Sequence, residues 1–160
     1  MPLIVNLRTL AQTPVRLRGE LTPAELELDL RDEIIQINTP IEHDLEVEQH
    51  GDELLVRGRV RVMLECECVR CLRRFQLPLV LDPYTLLVPL SGEEALTPDH
   101  DNADLTPWVR DDMLLELPQH PLCKADCAGL KKPAQNQTRR SGGTSESGAS
   151  AWAALNKLKL

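Results

Sequence analysis

At 160 residues the chain has room for one domain of ordinary size with a tail, and its 42% hydrophobic and 27% charged residues are those of a soluble globular protein. No apolar run approaches the ~20 residues of a membrane-spanning helix, and the start, Met1 to Arg8, lacks the marks of a secretory signal, so a cytoplasmic protein with reduced cysteines is expected. The net charge of -7 conceals a division: residues 1–119 balance to -12 and residues 120–160 to +5, so nucleic acid would have to be met by a local stripe or by the tail.

The first half of the chain alternates with period two. Val15, Leu17 and Gly19 fall opposite Arg16 and Arg18, and Ile41, His43, Leu45 and Val47 fall opposite Glu42, Asp44, Glu46 and Glu48. Both stretches are expected as half-buried antiparallel strands. Between them Thr22-Pro23-Ala24-Glu25 has the form of a capping box, which allows a short helical turn. From Leu54 to Cys68 one long strand is expected, with Val56, Gly58, Val60, Val62, Leu64, Cys66 and Cys68 on one face and Arg57, Arg59, Arg61, Met63, Glu65 and Glu67 on the other. The turn at His50-Gly51-Asp52-Glu53 would pair it with Ile41 to Gln49 as a hairpin.

After a turn at Val69-Arg70, Cys71 to Leu81 reads as the next strand, with Phe75, Leu77, Leu79 and Leu81 inward and Pro78 outward on an edge. Asp82-Pro83 would turn it into a further strand, Tyr84 to Leu90. Ser91 to Asp104 is polar and acidic and reads as a loop with little to bury. Thr106 is placed to cap a helix with Pro107 and Trp108 in its first turn and Val109, Met113 and Leu117 on one side, ending at Pro118. The expected class is mainly β (α+β): a twisted antiparallel sheet or open barrel with one packed helix and a C-terminal helix. The expected divisions are a β-rich domain at 1–130, a disordered linker at 131–150 and a short amphipathic helix at 151–160.

Chemistry concentrates in the cysteines. Cys68 and Cys71 form Cys-x-x-Cys, and Cys123 and Cys127 form Cys-x-x-x-Cys. Two such pairs can close one tetrahedral zinc site, with Cys66 and His120 as spare ligands; four free thiols are the other reading. A dithiol redox site would ask for a Cys-x-x-Cys opening a helix of a βαβ unit, and no such pattern surrounds this one. Histidines His43, His50, His100 and His120 are scattered, no Gly-rich phosphate loop occurs and the carboxylates cluster in loops, so no catalytic constellation is legible.

Cys68-Val69-Arg70-Cys71-Leu72, closing a long strand, resembles the signature of the YceD family of bacterial proteins required for accumulation of large-subunit ribosomal RNA. Leu117-Pro118, Pro121-Leu122-Cys123 and Cys127-Ala128-Gly129-Leu130 are similar to a second segment of that family, and Trp152-Ala153-Ala154-Leu155-Asn156-Lys157-Leu158 to its closing helix. Many members carry a second cysteine pair after Gly-Leu, where this chain has Lys131-Lys132-Pro133-Ala134-Gln135-Asn136. Cys123 and Cys127 must then join Cys68 and Cys71, or the metal has been lost. The resemblance implies a non-enzymatic factor in 23S ribosomal RNA accumulation and ribosome assembly, with ribosomal RNA, a ribosomal protein or an assembly factor as partner and neither membrane nor small-molecule substrate. A zinc-containing or thiol-active enzyme, a ribonuclease or oxidoreductase, is the alternative.

Arg57, Arg59 and Arg61 recur about 7 Å apart along one face, close to the spacing of successive phosphates, and Arg70, Arg73 and Arg74 continue the charge around the cysteines. The stripe reads either as RNA-binding or as solvent-facing arginines paired with Glu42, Asp44, Glu46 and Glu48. Arg70, Arg73 and Arg74 have fewer acidic neighbours and carry most of the RNA expectation. Trp152, Leu155 and Leu158 form one apolar helix side, expected to bind a partner or to fold back on the domain.

Overall fold

The computed structural model describes residues 2–28, 30 and 32–131. The expected linker and closing helix, with Trp152, Leu155 and Leu158, lie outside the described residues.

The centre of the fold is a curled antiparallel sheet built on one long strand. Strand β5 (Glu53–Glu67) pairs along its length with β6 (Arg74–Pro89); on its other side β4 (Ile41–His50) covers the first half and β3 (Ile35–Gln36) the second, and β2 (Val15–Leu21) adds beyond β4. The β4–β5 hairpin stands as the alternation requires, with His50 opposite Glu53 across Gly51-Asp52. Gly51 supplies the positive φ of 60° that this two-residue turn needs. One face of β5 buries Leu54, Val56, Val60, Val62, Leu64 and Cys66 beside Ile41, Leu45 and Val47 of β4. The core is one continuous apolar cluster.

Asp82-Pro83 does not end a strand. β6 runs straight through it, and the register steps there from Gly58 opposite Tyr84 to Val60 opposite Leu81, so Arg59 faces two residues. This is a β-bulge, which bends the strand without breaking its pairing. Gly58 sits at that bend with φ 151°, and a Cβ there would come within 2.0 Å of the Asp44 carbonyl oxygen. Only glycine lets β4 and β5 approach so closely. Pro78 points outward on the edge strand, as expected.

The Thr22 capping box forms as expected, with Thr22 N–H donating to Glu25 at 2.8 Å and Glu25 N–H to the Thr22 hydroxyl at 3.2 Å, and it closes one short turn, Leu26 N–H to Thr22 O at 3.2 Å, that does not propagate because Leu26 and Leu28 dip toward the core. Two other expectations need correction. The polar stretch before the helix is not all loop: Leu96 and Ala103 are buried, and β7 (Asn102–Asp104) pairs antiparallel with β1 (Ile4–Asn6). Thr106 does not cap helix α2 (Thr106–Leu115) as counted here, with α1 (Leu7–Leu10) preceding it; its hydroxyl accepts the buried Leu3 N–H at 2.9 Å, while Asp104 accepts Thr106 N–H at 2.9 Å. The demand of a buried backbone donor outranks the cap. Val109 and Met113 anchor α2 on the core, and the Tyr84 hydroxyl donates to Asp112 at 2.9 Å, fastening the helix to β6.

Candidate metal centre and its basic corner

The β5–β6 ladder ends at Glu67 opposite Arg74, and the residues between form the corner that carries the first cysteine pair. Cys68 N–H donates to Arg73 O at 2.9 Å and Leu72 N–H to Cys68 O at 2.8 Å, which folds Cys68 to Arg73 into a tight connection. Leu72 takes the left-handed conformation, φ 59°, to close it.

The second pair arrives from beyond α2. Val69 N–H donates to Pro121 O at 3.1 Å, Cys127 N–H to Lys124 O at 3.1 Å, and the Arg70 guanidinium to Cys127 O at 3.2 Å. Gly129, at φ 83°, turns the chain against the Arg70 carbonyl, where an added Cβ would sit 3.5 Å away.

These contacts bring Cys68, Cys71, Cys123 and Cys127 together, with all four sulfurs within 4.8 Å of one another. Cys68 Sγ lies 3.8 Å from Cys127 Sγ, and Cys71 Sγ lies 3.6 Å from Cys123 Sγ. Both separations are far longer than the ~2.05 Å of a disulfide. They match the edge of a tetrahedron of sulfurs about 2.3 Å from a central ion, which is about 3.8 Å. The four cysteines can therefore hold one metal ion, and the second pair does join the first.

Electrostatics at the cluster are uneven. Cys68 is fully buried, and backbone N–H groups of Cys123 and Cys71 directed at its sulfur pull its thiol down to about 6. Burial and the neighbouring Cys71 thiol push Cys123 up to about 12. The Cys68 thiolate is favoured while Cys123 holds its proton, which a cation would displace on binding. Cys66 stays out of the cluster: it lies in the core opposite Ile35 and Phe75, and burial raises its thiol. His120 is exposed and is also outside it.

The arginines divide into two groups. Arg57 pairs with Glu48 at 2.8 Å, and Arg59 pairs with Asp82 on β6 instead of an acid of β4, because the bulge places the two opposite each other. Arg16 binds Asp44 at 2.7 Å, holding that carboxylate below its usual range. Arg61 has no acidic partner within 4.0 Å among the described residues, although Glu42 stands across the ladder. These strands line an open groove of ≈ 790 Å³ in which five arginines, Arg16, Arg18, Arg57, Arg59 and Arg61, meet five carboxylates, Glu20, Glu42, Asp44, Glu46 and Asp82. Formal charge there cancels, so the groove has little pull on an anion.

Arg70, Arg73 and Arg74 differ. All three are exposed beside the sulfurs, and none has an ion-pair partner among the described residues. The Arg59–Asp82 pair and the Leu72 backbone were not legible in the sequence, since both depend on where the ladder shifts or ends.

The described chain is a curled antiparallel sheet with a four-thiol cluster at a basic hairpin corner. The model of the family described as large ribosomal RNA subunit accumulation protein YceD matches residues 56–159, and this chain belongs to that family. It is also 29% identical over 139 residues to an uncharacterised protein of Mycobacterium leprae, covering 81% of this chain and 64% of that protein. No solved structure matches the chain. None of the helices among the described residues is long and apolar enough to cross a membrane.

Proposed function

We propose that the chain serves large-subunit ribosomal RNA accumulation as a non-enzymatic assembly factor, in which a zinc ion held by Cys68, Cys71, Cys123 and Cys127 fixes a basic corner that contacts ribosomal RNA. The observation that carries this reading is the convergence of four sulfurs at tetrahedral spacing next to unpaired Arg73 and Arg74. A structural zinc needs a closed set of four protein ligands and no open position for substrate, which is what the cluster offers. The redox alternative finds less support, because Cys-x-x-Cys occupies a hairpin connection and, among the described residues, neither thiol opens a helix. Arg57, Arg59 and Arg61 take a secondary role in this reading, since the acids around them offset their charge. Trp152, Leu155 and Leu158 are assigned to a partner contact on the strength of their helical spacing alone.

Elemental analysis of chain purified without chelator should give about one zinc per chain. Metal content near zero with all five thiols titratable overturns the metal centre. Tagged chain should copurify with large-subunit ribosomal RNA, and an Arg73→Ala/Arg74→Ala variant that keeps its zinc should lose most of that RNA. Equal RNA recovery by the variant overturns the arginine assignment.

A further inference from the structure

Four non-glycine residues among those described adopt positive φ: Glu27, Leu72, His100 and Asp101. Three are polar, and aspartate and histidine in particular are enriched in this conformation. Leu72 has only an alkyl side chain, for which the left-handed region is an uncommon choice that glycine would fill without cost. Burial could offset that strain, yet Leu72 is 55% exposed. The Leu72 N–H to Cys68 O hydrogen bond accounts for the backbone, but nothing described covers the side chain.

The surroundings indicate what could. Val69 is 38% exposed on the same connection, and Leu130, next to the Gly129 that abuts Arg70, is 64% exposed. These apolar side chains stand among Arg70, Arg73 and Arg74. An apolar tip ringed by unpaired cations is complementary to a ligand that is anionic at its edge and flat and apolar at its centre. The chain's own segment 132–160 does not meet that description, for it carries five basic side chains and one acidic one. Nucleic acid does.

We infer that Leu72 is a wedge that packs against the face of an unstacked base while Arg73 and Arg74 hold the flanking phosphates, so that this corner selects single-stranded or looped RNA over duplex. The inference rests on the RNA-contact reading proposed above and adds which form of RNA is taken. A leucine has no hydrogen bond to offer a base edge; its only favourable contact is with a base face, and in an A-form duplex those faces are stacked away. Phosphate contacts alone would not distinguish the two forms, because both present a charged backbone.

The test uses full-length, zinc-loaded chain and two probes, a twelve-nucleotide oligouridylate and a twelve-base-pair RNA duplex, with binding read by fluorescence anisotropy at fixed salt. Wild type should prefer the single strand. Leu72→Gly relieves the backbone and so should leave the melting temperature unchanged or raised, yet it should lose about fivefold in affinity for the single strand and almost nothing for the duplex. Arg73→Ala/Arg74→Ala should weaken both probes together.

If Leu72→Gly binds both probes as wild type does, the wedge is wrong while the arginine contact stands. If wild type binds neither probe, the RNA reading itself fails and the inference falls with it. If the wild-type chain is dimeric by light scattering and Leu72→Gly is monomeric, Leu72 seats on a second copy and the inference is overturned.

Discussion

Strand β5 buries six side chains between Leu54 and Cys66, whereas the described chain from Pro118 to Lys131 buries only Pro121. The two stretches are held by different means. In the sheet, each inward residue removes apolar surface from water and β5 is paired on both edges along most of its length, so the structure needs nothing beyond the chain. At the corner, a few backbone hydrogen bonds and four converging sulfurs bring together segments 52 to 59 residues apart in sequence. Short irregular chain with so little buried surface cannot offset its own ordering entropy, so a metal would be the fastening. On the function proposed above, stability and function are separated in space: the curled sheet presents, and the corner contacts.

Removing the metal should expose that division most strongly. Chelation is expected to release residues 118–131 from the hairpin corner, forfeiting a binding free energy on the order of 10 kcal/mol, while the sheet persists. Limited proteolysis should then open cuts within 118–131 that the metal-loaded chain resists, with the far-ultraviolet β signal retained. Loss of that signal along with the metal would mean that the sheet depends on the corner after all.

Gly58→Ala strikes the opposite side of the comparison. The new Cβ has only 2.0 Å to the Asp44 carbonyl oxygen and a φ of 151° to tolerate, so β4 and β5 must separate. Stability should fall by about 3 kcal/mol or more in urea denaturation. A fall below about 1 kcal/mol would show that the β4–β5 approach is adjustable.

A smaller effect is expected at the helix contact. Burial and the facing Asp112 push the Tyr84 phenol above its ordinary range, so it stays a donor at any pH of interest. Tyr84→Phe strands the Asp112 acceptor and should cost about 1.5 kcal/mol without changing metal content. Differential scanning calorimetry beside elemental analysis would check both halves.

The smallest effect concerns His43, whose buried Nδ1 has no hydrogen-bond partner. Burial lowers its pKa below the usual 6.5, although the adjacent Asp44 opposes that shift. The unfolded chain therefore takes up a proton more readily than the folded one. The contribution is fully present above pH 6.5 and is lost as pH falls through the folded value. His43→Gln should flatten the decline of urea midpoints between pH 7 and pH 5 relative to wild type; parallel declines would show that His43 is not the group responsible.

What the sequence by itself determined is the pairing of β4 with β5, the inward face of β6, the site of α2 and the two cysteine pairs. All of these follow from local periodicity or short spacing, because a strand that buries one face must alternate and a hairpin must turn within a few residues. Tertiary structure alone decided the rest. Asp82-Pro83 reads as a turn until the bulge opposite Arg59 shows β6 continuing past it, and the acidic stretch before α2 reads as loop until β1 arrives from about 100 residues upstream to pair with β7. Whether Cys123 and Cys127 would meet Cys68 and Cys71 could not be read from spacing, since it depends on α2 docking across the sheet and delivering Pro121 to Val69. Long-range closure is set by how faces pack, and no local pattern encodes which distant segment will find which edge.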